Sequence, residues 1–217
     1  MKPAQMDRAL QKLSKHVGQK PEALAVTVAS KISPFASLVS TVLSLRTRDE
    51  VTAVVTPRTL GEASTPQEMA SLSVAKIAEL IYPTSFYRMK AQYLLDIAKS
   101  ILTDHDGNVP DTMEGLLSLK GIGRKSANLI LTLGFGKPGI CVDTHVHRLS
   151  NRLGFVKTSS PLQTEMVLRA VLPKRWWIDV NGILMAFGRT HCKPVSPHCT
   201  TCPIMKTCPK EGVTLYR

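Results

Sequence analysis

Apolar residues recur every three to four positions along most of the chain, and the strict alternation of a strand is nearly absent. Leu94, Ile97, Ala98 and Ile101 share one face of a helix, and Leu129, Ile130 and Leu133 share another. The same period predicts helices over 34–45, 73–81, 111–119, 143–153, 161–172 and 179–189. Plausible caps or first-turn prolines stand at their starts: Ser33-Pro34, Asp111, Asp143 and Ser160-Pro161. Short Gly, Pro and Asn punctuation separates them, as in HDGNVP and FGKPG. The pattern predicts an all-α protein of two helical lobes, with the boundary at the FGKPGI stretch, residues 135–140.

Charge divides the chain at nearly the same place. Residues 1–119 carry 13 basic and 12 acidic side chains, whereas residues 120–157 carry seven basic ones against Asp143 alone. Residues 158–217 add eight basic and three acidic side chains, for a net charge of +12. A basic half joined to a balanced half is the footprint of a polyanion, most often nucleic acid. Aromatics are only 5% of the residues, which argues against a single-strand stacking platform and for a grip on phosphates. No apolar run approaches the roughly 18–20 residues that span a bilayer. The N-terminal MKPAQMDRALQKLSKH is charged and amphipathic, without the apolar core of an export signal. A cytoplasmic, nucleoid-associated monomer is the expectation, with no membrane partner.

Four of the five cysteines fall in one stretch, Cys192-x6-Cys199-x2-Cys202-x5-Cys208. Clustered thiols without an export signal point to a metal rather than disulfides. Zinc sites usually show two CxxC-like knuckles, and this run has one CxxC with longer arms. An iron–sulfur cluster is preferred over zinc. Cys141, inside the apolar run Ile140-Cys141-Val142, reads as a small core residue.

Leu119-Lys120-Gly121-Ile122-Gly123-Arg124-Lys125-Ser126-Ala127 joins two helices. Two glycines permit a tight turn that a ligand can approach closely. A helix N-terminus with Arg124 and Lys125 attached favours a phosphate. A Gly-Ile-Gly turn can also serve merely to reverse direction.

LKGIGRKSANLIL, VDTHVHRLSNRLGF and the cysteine tail, in that order, resemble the endonuclease III family of helix-hairpin-helix DNA glycosylases. The resemblance is strongest from about residue 115 to 208. It implies a six-helix barrel carrying the hairpin over residues 27–137, and a [4Fe-4S] cluster domain over 1–26 and 138–217. It implies double-stranded DNA with damaged bases or abasic sites as partner, Lys125 as nucleophile and Asp143 as the essential carboxylate. Cys192, Cys199, Cys202 and Cys208 become the cluster ligands, and the loop they pin presents Lys193 to the DNA backbone.

The chemistry agrees with that assignment. An amine attacking C1′ forms a Schiff base, which makes the C2′ proton acidic enough for loss of the 3′ phosphate. Lysine needs a neutral fraction, though its ordinary pKa is about 10.4. Lys120, Arg124 and a helix N-terminus would favour deprotonation. Asp143 can stabilise oxocarbenium-like charge at C1′, or cap a helix, or both. A lysine at this position favours a bifunctional glycosylase/AP lyase acting on oxidised or saturated pyrimidines. The alternatives are a monofunctional mismatch glycosylase and a non-catalytic duplex-binding module. Flipping a nucleotide leaves a gap. Relatives fill it from loops matching Leu45-Arg46-Thr47, Ser85-Phe86-Tyr87 and Thr144-His145. Arg46 stands where glutamine is common and Phe86 where leucine is common. Arg46 could otherwise be a solvated charge, and Phe86 a core residue. With Gly121, Gly123, Arg124, His145 and Lys193 these two complete the expected DNA contacts. His145 and His147 lie two apart and do not share a helix face, so a paired metal site is not expected. Trp176-Trp177 is expected to pack in the second lobe.

Overall fold

A computed structural model of the chain describes residues 1–18 and 33–217. It contains eleven α-helices and no strand among those residues: α1 Pro3–Val17, α2 Pro34–Ser44, α3 Asp49–Glu62, α4 Pro66–Ser71, α5 Val74–Ile81, α6 Tyr87–Asp104, α7 Met113–Ser118, α8 Arg124–Leu129, α9 Thr144–Arg152, α10 Pro161–Val171 and α11 Val180–Thr190. The chain divides into two compact units at Lys137–Pro138; 23–137 form one, and 1–22 with 138–217 form the other. The domain boundary expected at residues 26 and 27 lies outside the described residues. None of the described helices is long and apolar enough to cross a membrane.

In the first unit α2 is central. Every residue from Phe35 to Leu43 is buried, as a helix enclosed on all sides requires. Ser33 starts it, its hydroxyl accepting from the Ala36 N–H at 3.0 Å. Small residues on α2 let neighbours approach; a Cβ added to Gly134 would come within 3.1 Å of the Ser37 side chain. The core around α2 comes from Ile77, Leu94, Ile97, Ile101, Leu116, Ile122 and Ile130. The periodicity misses α3 because its inner face is largely threonine: Thr52, Thr56 and Thr59 lie inside with Val55, and Pro57 sits within the helix. Thr52 and Thr59 satisfy their hydroxyls on the carbonyls of Arg48 and Val55, so the polar face buries without orphaned donors. Likewise, residues 125–135 are not one regular helix. α8 widens into a π-helical turn at Ile130–Gly134. The helix expected over 111–119 runs over Met113–Ser118, with Thr112 and not Asp111 as its cap.

In the second unit Met6, Ala9, Leu10 and Leu13 form the buried face of α1 and pack against α11. They share a core with Leu149, Leu184 and Phe187. The N-terminal ammonium donates to the Gly154 carbonyl. The tryptophans pack in this unit. Trp176 Nε1 donates to Asp7 at 2.8 Å, and Trp177 Nε1 donates to the Leu172 carbonyl at 3.0 Å.

Candidate functional site

The glycine turn joins α7 to α8, and Ile122 anchors it by burying its side chain in the core of the first unit. Gly121 needs glycine for two reasons. Its φ is +78°, and an added Cβ would lie 2.5 Å from the Tyr93 ring. Gly123 opens α8 with nothing near a would-be Cβ and no side-chain cap on the helix start. These differences give an expected result. Gly121→Ala should cost about 1–2 kcal/mol for the left-handed backbone and a similar amount for overpacking against Tyr93. Gly123→Ala should stay within about 1 kcal/mol of wild type. Urea unfolding of the two variants checks the contrast.

Lys125 is exposed at the second position of α8, while Ser126, Ala127 and Asn128 face inward and hold the helix. Arg124 is half-buried, and its carbonyl accepts from Asn128 Nδ2 at 3.2 Å. Lys120 leans away to pair with Asp96 on α6 at 2.9 Å, so much of its charge is balanced within the fold. Lys137 pairs with Asp111, and Arg148 and Arg152 donate to backbone carbonyls.

Also in the first unit, Phe86 is 55% exposed, which removes the core reading. Arg46 is exposed as well, and its guanidinium carbon lies 5.8 Å from the Phe86 ring centre. Neither is glycine, yet both have positive φ, 53° and 58°. The two loops therefore present their reaching residues side by side.

In the second unit Asp143 caps α9, its Oδ1 accepting from the Val146 N–H at 2.8 Å. His145 is half-buried, and burial holds its imidazole below the ordinary histidine range. Its Nδ1 lies 3.3 Å from Arg148 Nη2, which also donates to the carbonyls of Gly188 and Cys192. A Cβ at Gly188 would reach within 2.7 Å of His145 Nδ1, so this glycine makes room for the imidazole. His147 turns elsewhere, to Thr164 Oγ1 at 2.7 Å. Lys193 is half-buried, and its carbonyl accepts from Arg152 Nη1 at 2.7 Å while Pro194 accepts from Nη2 at 3.1 Å. A buried arginine thus pins the loop.

Cys192, Cys199, Cys202 and Cys208 line one small cavity with Arg152, Phe187 and His191, and all are free thiols, as is buried Cys141. Burial first, and then the charge of the neighbouring thiols, pushes Cys202 up to about 11. Burial and the same neighbours also raise Cys199 and Cys208. Against this, backbone N–H groups of Ile204 and Lys210 donate to the Cys202 and Cys208 sulfurs, and Arg152 Nη1 donates to Cys192 Sγ at 3.6 Å. Among the described residues no three His, Cys, Asp or Glu side chains are placed to hold a single metal ion.

A family model described as HhH-GPD superfamily base excision DNA repair protein matches residues 39–174, more than half of the chain. The chain belongs to that superfamily. Endonuclease III of Thermotoga maritima is 45% identical over 175 residues, covering 81% of this chain and 82% of its own. A solved non-covalent endonuclease III–DNA complex is 32% identical, with a TM-score of 0.84 over 97% of this chain and 96% of that one. A trapped endonuclease III–DNA covalent intermediate is 30% identical, with a TM-score of 0.83 over 97% of both chains. Within the HhH-GPD superfamily this chain is an endonuclease III-type base excision repair glycosylase.

Several residues of this HhH-GPD protein escape the sequence pattern. Arg148 and Arg152 count only as charges of the basic block in the sequence, whereas in the fold the first holds the Cys192 carbonyl and the second the loop after it. Only their i, i+4 spacing on one helix hints that both turn the same way. Tyr93 and Asp96, which back the glycine turn, carry no local signal.

Proposed function

We propose that the chain is a bifunctional DNA glycosylase and AP lyase for oxidised or saturated pyrimidines in duplex DNA, with Lys125 as nucleophile and Asp143 as the essential carboxylate. One observation carries the reading. An exposed lysine follows the Gly-Ile-Gly turn in a chain 30% identical to one trapped covalently on DNA. The neutral Lys125 amine attacks C1′, and the base leaves with the electron pair of the glycosidic bond. The attached nitrogen then loses a proton and the C1′–O4′ bond breaks, with O4′ taking up a proton, to leave an iminium; this acidifies C2′, whose proton departs as the 3′ phosphate is expelled. Water then hydrolyses the Schiff base and returns the amine.

The remaining groups bind and position. Gly121 and Gly123 let a phosphate approach, and Arg124 supplies charge beside it. Arg46, Phe86 and His145 occupy the gap left by the flipped nucleotide. Lys193 grips the backbone. The setting this implies is cytoplasmic and nucleoid-associated, with the protein acting as a monomer.

Cys192, Cys199, Cys202 and Cys208 would hold a [4Fe-4S] cluster. The four sulfurs share one cavity, three of them take N–H donors, and no carboxylate lines the cavity, which suits a thiolate-bound centre. A zinc ion at about 2.3 Å from each sulfur would need the thiols within about 4 Å of one another. A multi-iron centre accepts wider spacing. When bound, the cluster supplies a structural pin for the C-terminal tail, and deprotonation of the thiols is coupled to its binding.

A duplex panel with one defined lesion, scored separately for base loss and strand scission, tests this function. Coupled loss and scission support it. Base loss without scission would point to a monofunctional glycosylase, and neither event to a binding module. Asp143→Asn isolates the charge, because asparagine caps a helix as well as aspartate does. Thermal stability should hold while single-turnover base release falls at least about a hundredfold. Unchanged turnover would remove Asp143 from the chemistry.

A further inference from the structure

Lys90, in the first turn of α6, is 2% exposed, with its ammonium inside the first unit. Its Nζ donates to the Leu43 carbonyl at 2.7 Å and to Thr47 Oγ1 at 2.8 Å. Leu43 lies in the last turn of α2, where carbonyls lack helical partners. Thr47 Oγ1 also accepts the Ser85 N–H at 3.2 Å and donates to the Leu45 carbonyl at 3.3 Å. One hydroxyl thus joins two loops, and one buried amine holds that hydroxyl to the end of α2.

The joined residues immediately flank the two that reach outward. Arg46 lies between Leu45 and Thr47, and Phe86 follows Ser85. Both reaching residues have left-handed backbone, which a non-glycine residue keeps only when its surroundings over-determine it. Burial, with no carboxylate partner among the described residues, pushes the Lys90 amine down to about 8, so the arrangement carries a desolvation cost that a packed apolar side chain would avoid.

We propose that Lys90 is a positioning residue that, through Thr47, fixes Arg46 and Phe86 for insertion into DNA and so sets opposite-base preference. The proposal rests on the reading of those two residues as gap fillers. Lys90 itself touches neither substrate nor reacting atoms. It acts by keeping the two loops in register, so that the guanidinium and the ring enter the duplex together.

The test measures single-turnover base removal from a duplex carrying 5,6-dihydrouracil opposite each of the four bases. Wild type is compared with Lys90→Met, Thr47→Val, Arg46→Ala and Phe86→Ala. Lys90→Met and Thr47→Val should each raise the half-saturating enzyme concentration about tenfold and flatten opposite-base preference to within about twofold. Scission of a pre-formed abasic site at saturating enzyme should stay within about twofold of wild type. Thermal stability of Lys90→Met should be unchanged or higher, whereas a merely structural lysine would lower stability and leave preference intact. Should Lys90→Met fail to fold, Thr47→Val carries the same expectation. Wild-type preference in both variants would overturn the proposal while the gap-filling reading stands, provided Arg46→Ala and Phe86→Ala do alter preference. If those two also behave as wild type, the gap-filling reading and the proposal fall together.

Discussion

Lys125→Gln is expected to leave a folded, DNA-binding protein whose strand scission at an abasic site falls by about a thousandfold or more, some 4 kcal/mol of transition-state stabilisation. The fold should survive because the side chain is exposed and the neighbours that anchor α8 are untouched. Glutamine also matches lysine closely in helix propensity. Affinity should fall only as far as losing one cation demands, with the salt dependence shallower by about one counterion. Lysine as a mere phosphate contact gives the opposite pattern, in which affinity drops and scission at saturating protein is retained. Single-turnover kinetics with protein in excess separate the two outcomes.

The second large effect concerns the tail. Cys202→Ser should abolish visible iron–sulfur absorption and lower stability beyond about 4 kcal/mol, a size that goes with losing a metal centre rather than one side chain. Three features set this scale. The tail has almost no regular structure after α11, so a centre held by its four cysteines would add much to what Arg152 and Ile204 fix. Ile204, between the third and fourth cysteines, belongs to the second core, as does Cys192. Without a cationic centre, three of the thiols stay above their ordinary range because burial and their neighbours disfavour ionisation. Deprotonation is thus coupled to metal binding, and chelation should reproduce the effect in the intact chain. Calorimetry together with iron analysis checks it. A colourless wild-type protein with one zinc per chain would refute the cluster.

What could be read from the sequence was local. Asp143 caps the helix that follows it, Ser33 and Ser160 do the same, and a cap needs only its neighbours three residues on. The cysteine stretch was legible because spacing alone brings thiols together. α3 was not, because threonines that back-bond to carbonyls bury like apolar residues but score as polar. Lys90 was hidden more thoroughly. A lysine opening an amphipathic helix looks solvated, and only the folded chain brings Leu43 and Thr47 to its amine. The same distance effect hid the pairing of Lys120 with Asp96, 24 residues away. The chemistry at Lys125 needed the motif, whereas the neighbourhood that shapes it needed the fold.

The most direct measurement is borohydride reduction of the protein on a duplex bearing a pre-formed abasic site. The account predicts a covalent protein–DNA adduct with wild type that disappears with Lys125→Gln. No adduct from active wild-type protein, or an undiminished adduct from Lys125→Gln, would contradict it.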